Sequence, residues 1–235
     1  MDTMCQPGKA VVLLSGGLDS ATVLHIARRK GYRLHALSFG YGQKHSPELR
    51  AASLVAGEAG VDDHLTAYLD PRLFSGSSLT GNGPVPQGRD EESISCGIPS
   101  TYVPARNTVF LSLALAYAES IGSRDVFIGV NSLDYSGYPD CRPEYIRAFQ
   151  AMADLATREA VEGNPIAVRA PLLKMTKAEI ITLGTKLGVD YSITLSCYRP
   201  DVSGRPCGEC DACTLRLRGF RQAGLEDPAV YSGGR

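Results

Sequence analysis

Short apolar runs alternate along this chain with longer stretches in which apolar residues recur every three or four positions. The short runs are bounded by glycine, proline or polar residues, which is typical of strands buried on both faces. They predict strands over residues 10–14, 33–39, 125–130 and 166–169. The longer stretches predict a first helix that ends near residue 30, helices over 47–60 and 107–121, one opened by Pro143, and one from 177 to about 188.

Alternating strands and helices predict an α/β fold with a mostly parallel sheet covered by helices on both faces, and ligands of such folds bind at the carboxyl ends of the strands. Two helix starts have further support. Ser46 is placed to cap the second helix, and Thr176 and Glu179 have the spacing of a capping box. Residues 70–104 are rich in glycine, serine and proline, and we interpret them as a long active-site loop or lid.

The first strand and the first helix are joined by Ser15-Gly16-Gly17-Leu18-Asp19-Ser20. Adjacent glycines let a ligand approach the backbone, and the first N–H groups of the helix point toward an anion bound there. Pyrophosphate fits such a nest, with the hydroxyls of Ser15 and Ser20 as donors and Asp19 as an Mg²⁺ ligand or a helix cap. A plain Gly-Gly turn is the alternative interpretation.

No Walker sequence, Gly-x-x-x-x-Gly-Lys-Ser/Thr, occurs in the chain. The Gly-Gly segment with its flanking elements instead resembles the pyrophosphate loop of the N-type ATP pyrophosphatases. The resemblance implies an adenine nucleotide alpha-hydrolase-like fold and the binding of ATP with Mg²⁺, whose α-phosphate is attacked by a substrate oxygen. The implied nucleotide-binding residues are Leu14, Ser15, Gly16, Gly17, Leu18, Asp19 and Ser20.

Four of the seven cysteines crowd near the C-terminus: Cys197, Cys207, Cys210 and Cys213, with Gly208 placed for a tight knuckle. Four thiolates without histidine suit a closed tetrahedral Zn²⁺ site, which we interpret as structural because no position stays open for water. An iron–sulfur cluster, a redox dithiol and ordinary buried cysteines are the alternatives, and the iron–sulfur cluster uses the same ligands.

Charge and length limit the classes of function. The 24 Lys and Arg against 25 Asp and Glu leave no basic excess, so we expect a small-molecule substrate and no stable binding of nucleic acid. No apolar run approaches the length of a membrane span and no export signal is evident, so we expect a cytoplasmic protein. In the 235 residues we expect a nucleotide-binding domain over 1–190 and a zinc-binding segment over 191–235 packed on the same core.

Further motifs coincide with the Gly-Gly segment and the cysteines. They are Tyr41-Gly42-Gln43-Lys44-His45, Tyr102-Val103-Pro104-Ala105-Arg106-Asn107, Gly129-Val130-Asn131, Asp134-Tyr135-Ser136-Gly137-Tyr138-Pro139-Asp140-Cys141-Arg142 and Ser196-Cys197-Tyr198. From residue 11 to about residue 220 the combination resembles the 7-cyano-7-deazaguanine synthase family, although Lys44 stands where an arginine also occurs in that family. The resemblance implies a homodimer of queuosine precursor biosynthesis. It would convert 7-carboxy-7-deazaguanine and free ammonia into the nitrile, with two ATP consumed.

The resemblance also implies roles for single residues. Asp19, Arg106 and Lys177 become the catalytic residues, with Lys177 as a second phosphate contact, although a lysine in the first turn of a helix is often exposed. The candidate substrate-binding residues are Gln43, Lys44, Asp134, Tyr138, Asp140 and Arg142. We interpret Cys141 as a plain pocket residue, because adenylation already activates the carboxylate.

Two other functions stay open. A tRNA sulfurtransferase-like enzyme would adenylate a nucleobase oxygen, but the chain lacks a basic excess and a recognisable RNA-binding appendage. A non-enzymatic zinc-knuckle adaptor would bind nucleotide as a regulatory ligand and would not convert ATP to AMP in response to a deazapurine. An attached glutaminase is disfavoured by the length, so ammonia is expected to come free.

Overall fold

The computed structural model of this protein describes residues 7–42, 47–81, 83–90, 93–94, 97–133 and 137–232. Within these ranges one sheet contains β1 (Lys9–Leu13), β2 (Arg33–Gly40), β3 (Asp63–Tyr68), β4 (Asp125–Phe127) and β5 (Ala167–Arg169). The strands are parallel and lie in the order β3-β2-β1-β4-β5. The order therefore reverses beside β1, which is where folds of this kind bind ligands.

Helices cover both faces of the sheet. They are α1 (Leu18–Arg29), α2 (Pro47–Ala59), α3 (Arg106–Ile121), α4 (Pro143–Ala156), α5 (Arg158–Val161), α6 (Lys177–Lys186) and α7 (Asp211–Gln222). Short 3-10 helices occupy Pro71–Phe74, Pro139–Cys141 and Tyr191–Ile193. The core on one face contains residues of α1, α2, α6 and α7, and the core on the other contains residues of α3 and α4. In the ranges given above, no helix combines the length and the apolar character that crossing a membrane requires.

The side chains of β1 show why its sequence is an unbroken apolar run. Ala10 and Val12 belong to one core, whereas Val11 and Leu13 belong to the other, because successive residues of a strand point to opposite faces. All four are buried. The parallel sheet is thus covered on both faces, and the predicted α/β fold is confirmed.

Two strands differ from the prediction. β4 ends at Phe127 and not at residue 130, because the chain then passes the first turn of α1, where a Cβ on Gly129 would lie 3.1 Å from the backbone nitrogen of Ser20. β3 is absent from the prediction. It lies at the edge of the sheet with Leu65 and Tyr68 exposed, and its sequence mixes polar and apolar residues, so it contains no apolar run.

The predicted capping box is confirmed at the start of α6. The Thr176 hydroxyl accepts from the backbone N–H of Glu179 at 3.3 Å, and the Glu179 carboxylate accepts from the backbone N–H of Thr176 at 2.8 Å. Two N–H groups that the helix leaves unpaired are satisfied in this way. The other predicted cap, Ser46, lies outside the described residues.

Arg216 of α7 fastens the end of the chain to the core. Its guanidinium donates to both carboxylate oxygens of Asp227 at 2.8 Å and to the carbonyl oxygens of Tyr191 and Thr194 at 2.8 and 3.2 Å. Tyr231 donates to the same carboxylate at 2.6 Å. Both charged side chains are only 4 % exposed, so these hydrogen bonds must offset a large loss of hydration. Burial raises the pKa of Asp227, but the hydrogen bonds from Arg216 outweigh it and hold that pKa below its ordinary value.

We expect Asp227→Asn to lower the free energy of unfolding by about 3–5 kcal/mol near neutral pH, because a buried guanidinium then lacks its counter-ion. The carboxylate stabilises the fold above its unfolded-state pKa of about 3.9, and this stabilisation is lost as the pH falls through the lowered folded-state pKa. The difference between variant and wild type should therefore shrink below about pH 4. Urea unfolding of both proteins at a series of pH values below 7 measures this difference in the free energy of unfolding.

Glu226→Gln is the matched control, since Glu226 is the exposed neighbour of Asp227. We expect it to change the free energy of unfolding by less than about 0.5 kcal/mol. A difference between Asp227→Asn and wild type that stays constant with pH would show that the ion pair is not its origin.

Candidate functional site

A cavity of about 230 Å³ lies where β1, β2 and β4 end. The residues that follow these strands supply much of its wall: the Gly-Gly segment 15–20 after β1, Tyr41 after β2 and residues 128–131 after β4. Other sides are closed from α2 by Glu48 and Leu49 and from α3 by Arg106, Asn107 and Phe110. The cavity thus lies beside β1 at the carboxyl edge of the sheet, in agreement with the expected place of a ligand.

Gly16 lets the Gly-Gly segment pack directly on α2. Its φ is +81°, in the left-handed region that favours glycine. A Cβ on it would lie 2.5 Å from the backbone nitrogen of Ala52 and 2.6 Å from the carbonyl oxygen of Glu48. A side chain at residue 16 would therefore both strain the backbone and push the segment away from α2.

The N–H groups at the start of α1 have hydroxyl partners that a phosphate oxygen can replace. The Gly17 N–H donates to Ser15 Oγ and the Leu18 N–H donates to Ser196 Oγ, each at 3.3 Å. The buried Ser20 hydroxyl donates to the Gly17 carbonyl at 3.0 Å and so shapes the segment from inside. The side chains of Leu14 and Leu18 are buried in the core. The segment therefore offers an anion mainly backbone donors and the exposed Ser15 hydroxyl.

Lys177 reaches the Gly-Gly segment from α6. Its ammonium lies 2.8 and 2.9 Å from the two carboxylate oxygens of Asp19, and the lysine is only 5 % exposed. The alternative of an exposed first-turn lysine is therefore wrong. Asp19 pairs with this ammonium, and the residue at the N-cap of α1 is Gly17, so Asp19 does not cap the helix.

Gly219 of α7 makes room for the stem of Lys177. A Cβ on Gly219 would lie 2.3 Å from Lys177 Cγ and 2.9 Å from Ile181 Cδ1. The lysine stem thus passes between α6 and α7, and the contact between these helices sets where its ammonium lies.

Arg106 enters the cavity from the first turn of α3, and its Nη1 donates to the Tyr41 hydroxyl at 3.2 Å. The residue before it, Ala105, has a φ of +51°, a conformation that costs a non-glycine residue on the order of 1–2 kcal/mol. Asn107, the residue after Arg106, is held in place by Asp140, whose carboxylate accepts the Asn107 N–H at 3.0 Å. A strained turn that buried polar groups hold in place is typical of a functional site.

The predicted substrate-binding residues are divided between the cavity and its surroundings. Tyr138 lines the cavity, and its hydroxyl is 2.8 Å from Thr101 Oγ1. Asp140 is buried behind the lining, where desolvation raises its pKa. Arg142 is exposed and is not part of the lining. Cys141 does line the cavity, and burial raises the pKa of its thiol to about 12, which keeps it protonated.

Gln43, Lys44, His45 and Asp134 lie outside the described residues. Their predicted roles, like those of Tyr138, Asp140 and Arg142, stay predictions.

Sequence reasoning missed Glu48 and the aromatic wall of the cavity. Glu48 is half-buried in the first turn of α2, and burial, partly offset by Arg106, raises its pKa to about 7. An acidic residue in the first turn of a helix commonly interacts favourably with the helix dipole and has no other role. The sequence therefore gave no sign that Glu48 lines the cavity. Phe39 and Phe110 stack with ring centroids 3.9 Å apart, and Phe110 is distant from Phe39 in sequence. Flat surfaces of this kind suit an aromatic heterocycle.

The four C-terminal cysteines lie close enough to hold one metal ion. All four sulfur atoms lie within 4.8 Å of one another, and two of the separations are 3.5 Å (Cys197 to Cys207) and 3.9 Å (Cys197 to Cys210). A tetrahedron with Zn–S bonds of about 2.3 Å has edges of about 3.8 Å. Backbone N–H groups donate to three of the sulfurs at 3.2–3.5 Å. The residues therefore fit a structural zinc site.

A short segment, 195–198, connects the cysteine cluster with the Gly-Gly segment. The Leu195 N–H donates to the Gly16 carbonyl at 2.9 Å, and the Tyr198 N–H donates to Cys210 Sγ at 3.4 Å. Leu195, Ser196 and Tyr198 all line the cavity. The cluster thus lies one short segment away from the candidate phosphate site.

Part of the long segment 70–104 is attached to the same cluster. Gln87 forms an isolated antiparallel bridge with Cys210, and the Gly88 N–H donates to the Glu209 carbonyl at 3.0 Å. Arg89 forms an ion pair with the buried Asp211. The cysteine cluster therefore positions this part of the segment.

A family model described as "Queuosine biosynthesis protein QueC" matches residues 9–224. The chain is 58% identical to the 7-cyano-7-deazaguanine synthase of Paramagnetospirillum magneticum over 223 residues, which cover 95% of this chain and 98% of that protein. It is 60% identical to the 7-cyano-7-deazaguanine synthase of Methylobacillus flagellatus over 225 residues, which cover 95% and 96%. Among solved structures, the NMN synthetase of Francisella tularensis matches with a TM-score of 0.49 and 16% identity, covering 98% of this chain and 81% of that chain.

We expect Gly219→Ala to weaken the binding of magnesium pyrophosphate about tenfold, which corresponds to about 1.4 kcal/mol. The added methyl group would displace the stem of Lys177 and with it the ammonium beside Asp19. Isothermal titration calorimetry measures the affinity.

Gly57→Ala is the matched control, because Gly57 is also a helical glycine and a Cβ there would meet nothing within 4 Å. It should leave the affinity for pyrophosphate unchanged. Equal affinities in the Gly219→Ala variant and the wild type would show that Gly219 does not position Lys177.

Proposed function

Since the chain belongs to the queuosine biosynthesis protein QueC family, we propose that it is an enzyme that converts 7-carboxy-7-deazaguanine and ammonia into 7-cyano-7-deazaguanine, with two ATP consumed. The observation that carries this conclusion is the 58–60% identity, over 95% of the chain, to proteins named 7-cyano-7-deazaguanine synthase. The reaction belongs to the biosynthesis of the queuosine precursor.

The first chemical step is adenylation of the carboxylate. A carboxylate resists ammonia until one of its oxygens becomes part of a leaving group, and attack on the α-phosphate of ATP supplies AMP in that role. We assign the binding of the departing pyrophosphate to the Gly17 and Leu18 N–H groups and the Ser15 hydroxyl, which lie together at the start of α1. Lys177 adds a fixed positive charge close to them.

The second stage repeats the same chemistry on the amide. Ammonia displaces AMP to give the amide, whose oxygen is adenylated by a second ATP, and loss of AMP leaves the nitrile. One nucleotide site serves both adenylations. Arg106 lines the cavity on the same helix as Phe110, and we assign to it the orientation of the substrate's carboxylate and then of its amide oxygen.

Mg²⁺ bound with ATP offsets the negative charge that develops on the phosphates. Asp19 belongs to the Gly-Gly segment itself, and its carboxylate would hold the ion if ATP binding draws it away from Lys177. The Asp19–Lys177 pair would in this way hold both side chains in position before ATP arrives.

A structural Zn²⁺ held by Cys197, Cys207, Cys210 and Cys213 completes the proposal. It would stabilise a C-terminal segment, 191–235, that packs on the nucleotide-binding domain, 1–190. We retain for this chain the expectations of a cytoplasmic homodimer, of free ammonia as the nitrogen source, and of no stable binding to nucleic acid.

Purified protein incubated with ATP, Mg²⁺, ammonium and 7-carboxy-7-deazaguanine should form the nitrile with about two AMP per product. Mass spectrometry follows the nitrile and chromatography follows AMP. A reaction without the deazapurine is the control. AMP that does not exceed this control, in well-folded and metal-loaded protein, would contradict the proposal, and tRNA-directed adenylation would be tested next.

Elemental analysis should find about one zinc and no iron per chain, because four thiolates make a closed tetrahedral site. We expect Cys213→Ser to lose most of the zinc and to unfold at a lower temperature, since the binding energy of a structural metal contributes to folding. Cys141→Ser removes a buried cysteine outside the cluster and should keep the zinc. Iron with visible absorption in place of zinc would favour the iron–sulfur alternative.

A further inference from the structure

The proposed reaction removes every hydrogen from ammonia. One N–H proton is lost when the ammonia lone pair forms the C–N bond and the C–O bond to AMP breaks. Two more are lost from the amide nitrogen, as its oxygen bonds to the α-phosphorus of ATP and as the C–O bond to AMP breaks to leave the C≡N bond. Each pair of N–H electrons stays with the product, so each step needs a group that accepts a proton close to the nitrogen.

The described lining of the cavity contains two carboxyl groups, those of Asp19 and Glu48. Both oxygens of Asp19 already accept hydrogen bonds from the Lys177 ammonium, at 2.8 and 2.9 Å. In the part of the chain that the structure describes, no hydrogen bond occupies the Glu48 carboxyl group. Glu48 is therefore the carboxyl group of the lining that is available to a substrate.

The backbone fixes Glu48 relative to the reacting phosphate. Its carbonyl oxygen packs on Gly16, as the 2.6 Å approach to a Cβ built there shows. Its side chain is half-buried, and it lines the same cavity as Ser15, Gly17 and Arg106. The carboxyl group thus belongs to the cavity in which the adenylated carbon would lie, beside the candidate anion site.

From this geometry we propose that Glu48 is the general base that takes the protons released from nitrogen as the amide and then the nitrile form. The inference rests on the proposed function and adds a catalytic residue to it. Each proton passes from nitrogen to a carboxylate oxygen of Glu48 and from there to solvent before the next is released.

The groups that surround Glu48 are consistent with this role. Burial, partly offset by the nearby Arg106, raises its pKa to about 7, so the carboxyl group is about half ionised at neutral pH. Burial raises the pKa values of Tyr41, Tyr138 and Cys141, which stay protonated and cannot accept a proton there. A base with a pKa close to the working pH is the most effective one.

The test compares Glu48→Gln with wild type in two assays. The first is exchange of labelled pyrophosphate into ATP, dependent on 7-carboxy-7-deazaguanine and without ammonia, in which no N–H bond breaks. The second is formation of the nitrile with ammonia. We expect exchange to stay within about threefold of wild type and nitrile formation to fall about 100-fold or more.

The pH dependence provides a readout that a structural role would not change. At constant concentration of free ammonia, nitrile formation by wild type should rise with pH through an apparent pKa near 7, because the base must be ionised. The Glu48→Gln variant should lack this rise, and Glu48→Asp should retain it. Glu58→Gln, on the same helix but outside the cavity lining, should behave as wild type.

Several outcomes would overturn the inference. Nitrile formation at the wild-type rate in Glu48→Gln would show that another group accepts the protons. Parallel loss of exchange and of nitrile would show that Glu48 binds substrate or supports the fold. Wild-type protein that shows neither exchange nor nitrile would refute the proposed function itself, and the inference with it.

Discussion

A lysine buried beside the Gly-Gly segment must be paired, and the Lys177–Asp19 ion pair is the constraint on which the site depends. An isolated buried ammonium would lose its proton or bring water into the core. Two contacts of 2.8 and 2.9 Å pair the Lys177 ammonium with Asp19, and they join α6 to α1 across 158 residues of sequence. The stem of the lysine in turn requires the space that Gly219 leaves on α7. The end of the site that would hold phosphate therefore depends on helices from the last third of the chain.

The C-terminal segment is connected to the cavity by three kinds of interaction. The Arg216–Asp227 pair fastens the final residues to α7. The cysteine cluster brings the turns around residue 208 close together. The segment 195–198 links these turns to the Gly-Gly segment, because the Leu195 N–H donates to the Gly16 carbonyl. Because these interactions share α7 and its neighbours, loss of the cluster should affect the cavity as well as the stability of the segment that contains it.

The lining of the cavity offers two kinds of interaction. Backbone N–H groups and the Lys177 ammonium surround the Gly-Gly segment, which suits the phosphates of a nucleotide. Stacked aromatic rings of β2 and α3 also line the cavity, together with the half-buried carboxyl group of Glu48, and these groups suit a flat heterocycle that loses protons. A reaction that adenylates a heterocyclic acid and then removes hydrogen from nitrogen needs both.

Local patterns in the sequence were sufficient for the features that depend on local geometry. The apolar run of β1, the capping box at Thr176 and the Gly-Gly segment each use residues close together in the chain, so their spacing is visible without the fold. The sequence predicts an end of β4 that is three residues too late, because close packing of Gly129 on α1 ends this strand. It does not predict β3, because an edge strand has only a weak hydrophobic pattern.

The sequence by itself determined the parallel α/β architecture, the glycine turn that leads into α1 and the four clustered thiols, since regular hydrophobic burial, backbone freedom and ligand spacing are properties of short stretches. Only the tertiary structure decided that Lys177 is buried against Asp19, that Asp140 supports α3 from behind the cavity lining, and that Glu48 lines the cavity. These three features depend on contacts between residues that are far apart in sequence. Such contacts, and not the neighbours in sequence, set the environment of a charged group.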